Sequence, residues 1–88
     1  DFSGRKVLVT GGSRGIGLGV AEGFLKSGAD VTILASGNET TEVASKLSGK
    51  YGRCVAGLVC DIADRDAVAS SVGGLERIDV LVNNAGLE

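Results

Sequence analysis

The glycine-rich segment TGGSRGIG, residues 10–17, is the part of the sequence whose residue types are best suited to binding a ligand. Its pattern is T-G-x-x-x-G-x-G, with Gly11, Gly15 and Gly17 in the glycine positions. Glycines allow a tight turn, an unobstructed approach of a pyrophosphate to the backbone and close packing of a helix on a strand. The N-terminus of a following helix would add unpaired N–H groups and a partial positive charge. The segment therefore predicts a phosphate-binding loop, with a glycine-rich turn that holds no ligand as the alternative.

Strands and helices are predicted on both sides of this loop. Four short apolar runs show no alternation of apolar and polar residues, so we expect parallel strands covered by helices on both faces. These runs are residues 7–9, 31–34, 54–59 and 80–82. Apolar residues at helical spacing lie between them, in the stripes Ile16, Val20 and Phe24; Val43, Leu47 and Tyr51; and Val68, Val72 and Leu75.

Capping residues mark the ends of the predicted helices. Gly28 is placed to end the first helix. Asn38 or Thr40 is available to begin the second helix, and Asp64 to begin the third. The predicted order is therefore β-α-β-α-β-α-β, without a linker, a repeat, a low-complexity segment or a proline.

The right-handedness of such crossovers restricts the topology. We predict an α/β fold, a partial doubly wound sheet of four parallel strands in the order 3-2-1-4 with three helices. The chain reverses its direction across the sheet after the third strand, which opens a crevice at the carboxyl ends of strands 1 and 4. The glycine loop lies at this crevice.

Composition and charge exclude several classes of function. The 88 residues allow one domain at most. A net charge of -2 disfavours nucleic acid and anionic membrane as partners, because each needs a basic patch. No apolar run approaches the ~20 residues of a transmembrane helix, and the N-terminus does not resemble a signal peptide. The absence of histidine excludes histidine acid–base chemistry and histidine metal ligands, and we predict no metal site.

Two cysteines, Cys54 and Cys60, lie in one apolar stretch that we predict as a strand. Strand geometry would separate them by about 20 Å, which is too far for a disulfide. We therefore expect two buried thiols and, by default, a cytoplasmic location.

Three motifs together make the chain similar to the short-chain dehydrogenase/reductase family over essentially all 88 residues. They are the glycine loop, Asp61 after the third strand and the sequence Asn-Asn-Ala-Gly, residues 83–86, after the fourth. The resemblance implies that the loop binds the diphosphate of a nicotinamide dinucleotide. It also implies that Asp61 hydrogen-bonds the adenine, with Ile62 beside the ring, and that residues 83–86 support the sheet and line the cofactor cleft.

The sequence favours NADP(H) over NAD(H). A carboxylate about twenty residues beyond the glycines would bind the ribose 2′-hydroxyl of NAD. That distance leads to Ala35 and Ser36, neither of which is acidic, and Asp30 begins the second strand at the wrong end. Arg14 lies inside the loop, where a guanidinium can pair with a 2′-phosphate and where, in the family that the chain resembles, basic residues are associated with NADP. A solvated Arg14 without a ligand is the alternative.

The expected cofactor-binding residues are Gly11, Ser13, Arg14, Gly15, Ile16, Gly17, Ser36, Asp61, Ile62, Asn83, Ala85 and Gly86.

The resemblance also implies catalytic residues that this sequence does not contain. The family acts on carbonyl/hydroxyl pairs with a serine and a Tyr-x-x-x-Lys pair, in which the tyrosine is the general acid/base. The single tyrosine, Tyr51, is followed four residues later by Val55. We therefore expect no catalytic residue here and interpret residues 1–86 as the N-terminal half of a Rossmann dinucleotide-binding domain. Leu87 and Glu88 resemble the remnant of a cloning site, with a naturally truncated product as the alternative.

Three functions remain open on the sequence. The first is the NADP(H)-binding part of a short-chain oxidoreductase, not catalytic alone and with weak or absent cofactor binding. The second is a self-associating half-Rossmann module without a ligand. The third is another nucleotide-binding α/β protein, such as a cofactor sensor or an S-adenosylmethionine-binding domain, and the Asn-Asn-Ala-Gly turn argues against it.

In the predicted order the fourth strand, residues 79–83, is an apolar edge, so we expect a homodimer through it, with a loosely packed monomer as the alternative.

Overall fold

A computed structural model describes residues 2–11, 15–61, 63–75 and 77–83. Seven elements follow one another in the predicted alternation. The strands are β1 (Lys6–Thr10), β2 (Asp30–Ala35), β3 (Ala56–Val59) and β4 (Val80–Asn83). The helices are α1 (Gly15–Lys26), α2 (Glu39–Tyr51) and α3 (Arg65–Gly73).

The four strands form one parallel sheet in the order β3-β2-β1-β4. The predicted fold and strand order are therefore confirmed. The register places Val7 of β1 beside Val31 of β2 on one side and Val80 of β4 on the other. At the carboxyl end of β1, Thr10 is beside Leu34 and Asn83, so β1 and β4 end together.

Two apolar layers hold the helices to the sheet. Side chains alternate between the faces of a strand, so Val7 and Val9 face α1 and α2, while Leu8 faces α3. The first layer is closed, because Ala21 and Leu25 of α1 are almost fully buried in it. The second is open, because none of the residues of α3 is fully buried. The sheet is thus covered well on one face and thinly on the other.

The two edge strands are less covered than the sequence predicts. Val59 of β3 is 47% exposed and Leu81 of β4 is 60% exposed. An apolar run shows that a strand can be buried on both faces, but not that an element is present to bury it. The prediction that strands are buried on both faces is therefore confirmed for the central strands β1 and β2 and is wrong for the edge strands β3 and β4.

Two of the predicted caps are present. Gly28 has a φ of 96° just beyond the end of α1, a conformation that side chains other than glycine rarely adopt. Asp64 has an extended backbone before α3, and its Oδ1 accepts hydrogen bonds from the amides of Asp66 and Ala67, each at 3.1 Å.

The cap predicted for α2 is confirmed in its position but not in its hydrogen bond. Asn38 occupies the N-cap position, but its backbone is helical and its side chain makes no capping hydrogen bond. A capping side chain reaches the free amides from an extended backbone, which Asn38 lacks. Thr40 lies inside the helix, and its hydroxyl donates to the carbonyl of Gly37 at 2.6 Å.

The two cysteines differ from the prediction. Cys60 is buried after β3, but Cys54 is exposed. The strand begins only at Ala56, because α2 ends at Tyr51 and the chain needs the next few residues, from the C-cap Gly52 onward, to turn toward the sheet. Both cysteines are free thiols, so the expectation of two buried thiols is correct for one of them. None of the helices in the described ranges is long and apolar enough to cross a membrane.

Candidate functional site

Backbone hydrogen bonds set the ends of three strands side by side. The amide of Gly11 donates to the carbonyl of Leu34 at 2.7 Å, which ties the start of the glycine loop to the end of β2. The amide of Cys60 donates to the carbonyl of Ala35 at 2.9 Å, which ties the end of β3 to the same place. Asp61, Ser36 and Gly11 therefore follow one another along a single edge of the sheet.

Thr10 joins this edge to the fourth strand. Its hydroxyl lies 3.1 Å from Oδ1 of Asn83 and 3.3 Å from the carbonyl oxygen of Val82, and only 8% of the residue is exposed. A buried threonine hydroxyl fixes the side chain of Asn83 at the point where β1 and β4 end. The sequence motif includes Thr10, but sequence reasoning gave it no role. The sequence feature that could have indicated its role is a hydrogen-bonding side chain at the last position of a buried strand.

The glycines of the loop have the backbone conformation that the prediction requires. Gly11 is buried with a φ of 70°, and Gly15 begins α1 with a φ of 61°. Among the described residues, only glycines have a positive φ, so these two positions need glycine for conformational reasons. Gly17 is buried within α1, as expected for close helix–sheet packing. Ser13 and Arg14 lie outside the described residues.

The N-terminus of α1 suits an anion. The helix begins at Gly15 and runs for 12 residues, with no acidic residue in its first turn. Its partial positive charge is therefore not neutralised locally. Ile16 in that turn is 66% exposed, so an apolar side chain stands free beside the helix end. The glycine-lined turn and the helix end together form a site to which a phosphate could bind through backbone N–H groups.

Asp61 is exposed at the end of β3, where its carboxylate can meet a ligand. Its Oδ1 accepts a hydrogen bond from the amide of Ala63 at 3.0 Å, so the turn orients the side chain. A turn-forming role alone would explain that bond. Asp61 also lies next to Ser36 on the carboxyl edge, where its carboxylate can accept a hydrogen bond from an amino group of a base. This position favours a role in ligand binding in addition to the role in the turn. Ser36 is exposed on the same edge, whereas Ile62, Ala85 and Gly86 lie outside the described residues.

The opposite, amino edge of the sheet holds ion pairs. Lys6 Nζ lies 2.7 Å from Oδ2 of Asp30, and the hydrogen bond from Lys6 lowers the pKa of Asp30. Asp79 accepts from the amide of Lys6 at 2.8 Å and from Nε of Arg77 at 3.0 Å, and the bond from that amide lowers its pKa. Asp30 is therefore at the wrong end of β2 to contact a ligand on the glycine loop, as predicted.

Tyr51 does not belong to the candidate site. Its hydroxyl donates to Oε1 of Glu22 at 2.8 Å, and this hydrogen bond raises the pKa of the tyrosine. A raised pKa is the opposite of what a tyrosine acting as a base near neutral pH needs. Among the residues that the structure describes, no three histidine, cysteine or acidic side chains are grouped so as to hold a metal.

An apolar groove of about 410 Å³ lies between α3 and the strands β1 and β4. Thr10 and Asn83 line it, so it adjoins the candidate site. The rest of its lining is mostly apolar: Leu8, Val68, Ala69, Val72, Ile78 and Leu81, with Arg65.

Comparisons with known proteins agree with this geometry. Residues 5–88 match the family described as short chain dehydrogenase. Gluconate 5-dehydrogenase of Gluconobacter oxydans is 40% identical over 92 residues, which cover 100% of this chain and 36% of that protein.

Two solved structures resemble the chain closely. The RhlG/NADP active-site complex of Pseudomonas aeruginosa has a TM-score of 0.84 and 39% identity, and the match covers 96% of this chain and 35% of that one. L-Sorbose reductase of Gluconobacter frateurii, complexed with NADPH and L-sorbose, has a TM-score of 0.86 and 41% identity, over 97% of this chain and 34% of that one. The chain thus spans about a third of the length of the proteins it matches.

Proposed function

The chain belongs to the short-chain dehydrogenase family, and from this premise we propose that it is the NADP(H)-binding part of an oxidoreductase that acts on a carbonyl/hydroxyl pair. The family match decides against a different class of nucleotide-binding α/β protein. A half-Rossmann module without a ligand remains the alternative to be tested.

The observation that carries the proposal is the pair of positive-φ glycines before the free end of α1. At Gly11 and Gly15 the backbone turns with no side chain in the way of a ligand. The positive end of α1 lies where the chain reverses its direction across the sheet. The residues present fit the diphosphate of a dinucleotide, because a doubly charged group needs amide donors and close backbone approach.

Each residue along the carboxyl edge has a task in binding. The loop and the start of α1 would hold the diphosphate, and the carboxylate of Asp61 would accept from the adenine amino group. Thr10 keeps the side chain of Asn83 in place at the cleft. The cofactor, when bound, supplies or accepts a hydride.

Two arguments favour NADP(H). Arg14 in the loop can pair with a 2′-phosphate through its planar fork of donors. The RhlG complex holds NADP and the sorbose reductase complex holds NADPH, and both resemble this chain at 39% and 41% identity. Carbonyl reduction by the 88 residues alone is not expected, because the sequence has no Tyr-x-x-x-Lys pair.

A calorimetric titration of the 88-residue chain with NADPH tests the proposal. We expect weak, saturable binding that Gly15→Ala abolishes, because alanine is strained at the φ of 61° there. Gly19→Ala is the matched control in the same helix, since a Cβ at Gly19 would have nothing within 4 Å. Absence of heat with the wild-type chain, or equal binding by the two variants, would contradict the proposed function. Circular dichroism checks that each variant is folded.

We further propose that the chain associates with a second copy of itself through β4, as a cytoplasmic protein. The specific observation is that β4 is the last strand of the described sheet and that Leu81 is 60% exposed beside the apolar groove. An unpaired apolar edge is a template for another strand, and two-fold pairing lets the same patch cover itself.

A further inference from the structure

Besides the apolar groove, a pocket of about 260 Å³ lies at the amino edge of the sheet. Leu8 and its register partner Thr32 both line it, and Leu8 faces α3, so the pocket is on the thinly covered face of the sheet. Lys6 also lines it, two residues before Leu8 on the same face of β1. Lys6 begins the strand that Thr10 ends, about 13 Å away. The pocket is therefore remote from the residues proposed to bind the cofactor.

The floor of the pocket is apolar. Leu8 is 1% exposed, and Leu75 and Ile78 of the segment between α3 and β4 are half-buried in the same layer. All three line the pocket. An apolar group placed there would be removed from water on one side, which favours binding through the hydrophobic effect.

Two cations with unused hydrogen-bond donors line the same pocket. The ammonium group of Lys6 has three N–H groups, and the bond to Oδ2 of Asp30 at 2.7 Å uses one of them. The guanidinium of Arg77 donates through Nε to Asp79 and through Nη2 to the carbonyl of Gly4. These two bonds orient the group, and Nη1 has no partner among the described residues. Both side chains can therefore bind a further oxygen atom.

Thr32 adds an uncharged donor. It is half-buried on the central strand β2, and its hydroxyl makes no hydrogen bond with another residue of the described ranges. A hydroxyl in this position can donate to an oxygen atom of a ligand. Because β2 is hydrogen-bonded on both sides, this donor has a fixed place in the pocket.

Positive charge is in excess around the two aspartates of this edge. In the described ranges, four cations lie near two carboxylates: Arg5, Lys6, Arg53 and Arg77 near Asp30 and Asp79. One negative charge would be attracted by this excess, whereas the two carboxylates would repel a second one. The pocket therefore suits a monocarboxylate better than a phosphate dianion.

From these contacts we propose that the pocket at the amino edge binds a small organic monocarboxylate. Its carboxylate group accepts hydrogen bonds from Lys6, Arg77 and Thr32, and its apolar part lies on Leu8 and the neighbouring side chains. The inference goes beyond the proposed function and does not depend on it, because the two sites lie at opposite edges of the sheet.

A heteronuclear NMR titration of the chain with hexanoate tests the inference. We expect saturable shifts of the amide signals of Leu8, Thr32 and Ile78. Hexanamide has the same shape without the charge and should bind about fivefold more weakly, because charge-assisted hydrogen bonds are the stronger ones. Inorganic phosphate has the charge without the apolar part and should leave these signals in place.

Two variants test the donors. Arg77→Gln should weaken hexanoate binding by about fivefold through the loss of the charged donors. Lys46→Gln is the matched control, because it removes the same charge from an exposed position on α2, on the other side of the sheet. Thr32→Val removes only the hydroxyl and should weaken binding by about threefold. Thr41→Val on α2 is its control, and unchanged signals of α1 show that each variant is folded.

The outcomes decide for or against the pocket. Weaker binding in Arg77→Gln and Thr32→Val but not in the two controls supports it. Equal binding of hexanoate and hexanamide, or no effect of either variant, overturns the role of the charged and polar donors and with it the proposal. Shifts centred on Ala69 and Leu81 in the apolar groove, or no shifts at millimolar concentrations, also overturn it.

Discussion

The proposed preference for NADP(H) depends on one side chain, Arg14. Arg14→Ala should weaken NADPH binding by about 1–3 kcal/mol, the range for a charge-assisted hydrogen bond to a phosphate. NADH binding should change little, because NADH has no 2′-phosphate. Calorimetry with each cofactor measures the difference.

Lys26→Ala provides the control for Arg14→Ala. It removes one positive charge from the last turn of α1, away from the loop. Equal losses for NADPH and NADH in Arg14→Ala would show that the guanidinium does not contact the 2′-phosphate.

Single residues were predictable where the backbone itself requires them. Gly11 and Gly15 have positive φ, and Asp64 caps from an extended backbone, so each residue type reports a local conformation. Asn38 occupies the predicted N-cap position, but its helical backbone prevents the capping hydrogen bond that its residue type would allow.

Among the elements, the contact between α2 and β3 depends on the absence of a side chain at Gly57. A Cβ there would lie 2.8 Å from the carbonyl oxygen of Thr40 and 2.9 Å from Cβ of Ala44. Gly57→Ala should therefore lower the free energy of unfolding by about 1–3 kcal/mol through overpacking. Urea denaturation measures the change.

Gly49→Ala, on α2, is the contrasting variant to Gly57→Ala. A Cβ at Gly49 would have nothing within 4 Å, so alanine should raise stability by about 0.5–1 kcal/mol through helix propensity. A Gly57→Ala chain as stable as the wild type would show that α2 does not pack directly on β3.

The link between α1 and α2 should depend on pH. Oε1 of Glu22 accepts from Nζ of Lys50 and from the hydroxyl of Tyr51, both at 2.8 Å. These bonds, that from Lys50 most of all, hold the pKa of Glu22 below its ordinary value of 4.5. The unfolded chain therefore takes up the proton first, so the link stabilises the fold above that pH and is lost as the pH falls below it.

Glu22→Gln tests this link. The variant should be less stable than the wild type near neutral pH, by about 1 kcal/mol or less because the pair is partly exposed. The difference should shrink as the pH falls below 4.5, because Glu22 of the wild type then takes up its proton and loses the charge that the variant lacks. Asp30 and Asp79 also have lowered pKa values, so both chains should lose stability in acid. A difference in urea stability that does not change with pH would contradict the role assigned to Glu22.

The order of the elements was predictable from the sequence, and the cover of the outer strands was not. Apolar runs, helical stripes and right-handed crossovers leave few arrangements other than 3-2-1-4. Residues 54–59 read as one apolar run, but Cys54 lies in the turn that leads from Gly52 to the strand. The exposure of an edge strand depends on which elements pack beside it, and the pattern of apolar residues in the sequence does not show these elements.

For the whole molecule, we propose association of two copies through the exposed edge at β4. We expect the wild-type chain to sediment as a dimer at about 100 μM, and Leu81→Lys, which places a charge at the 60% exposed position, to sediment as a monomer. Val80 and Val82 pack against the inner core, so lysine there should unfold the chain and would not isolate the interface.

Val59→Lys on the opposite edge is the control for Leu81→Lys. Val59 is 47% exposed on β3, so the same substitution there should leave the dimer intact. A compact wild-type monomer at the same concentration, with the amides of β4 protected from exchange, would contradict association through β4.

The most direct test of the whole account is a heteronuclear NMR titration of the chain with adenosine 2′,5′-bisphosphate, the adenosine part of NADP(H). We predict saturable shifts of amide signals along the carboxyl edge, at Gly11, Gly15, Ser36 and Asp61. The signal of Lys6 on the amino edge should stay in place. Shifts centred on the amino edge, or no shifts at millimolar concentrations of the nucleotide, would contradict the claim that this edge of the sheet binds the cofactor.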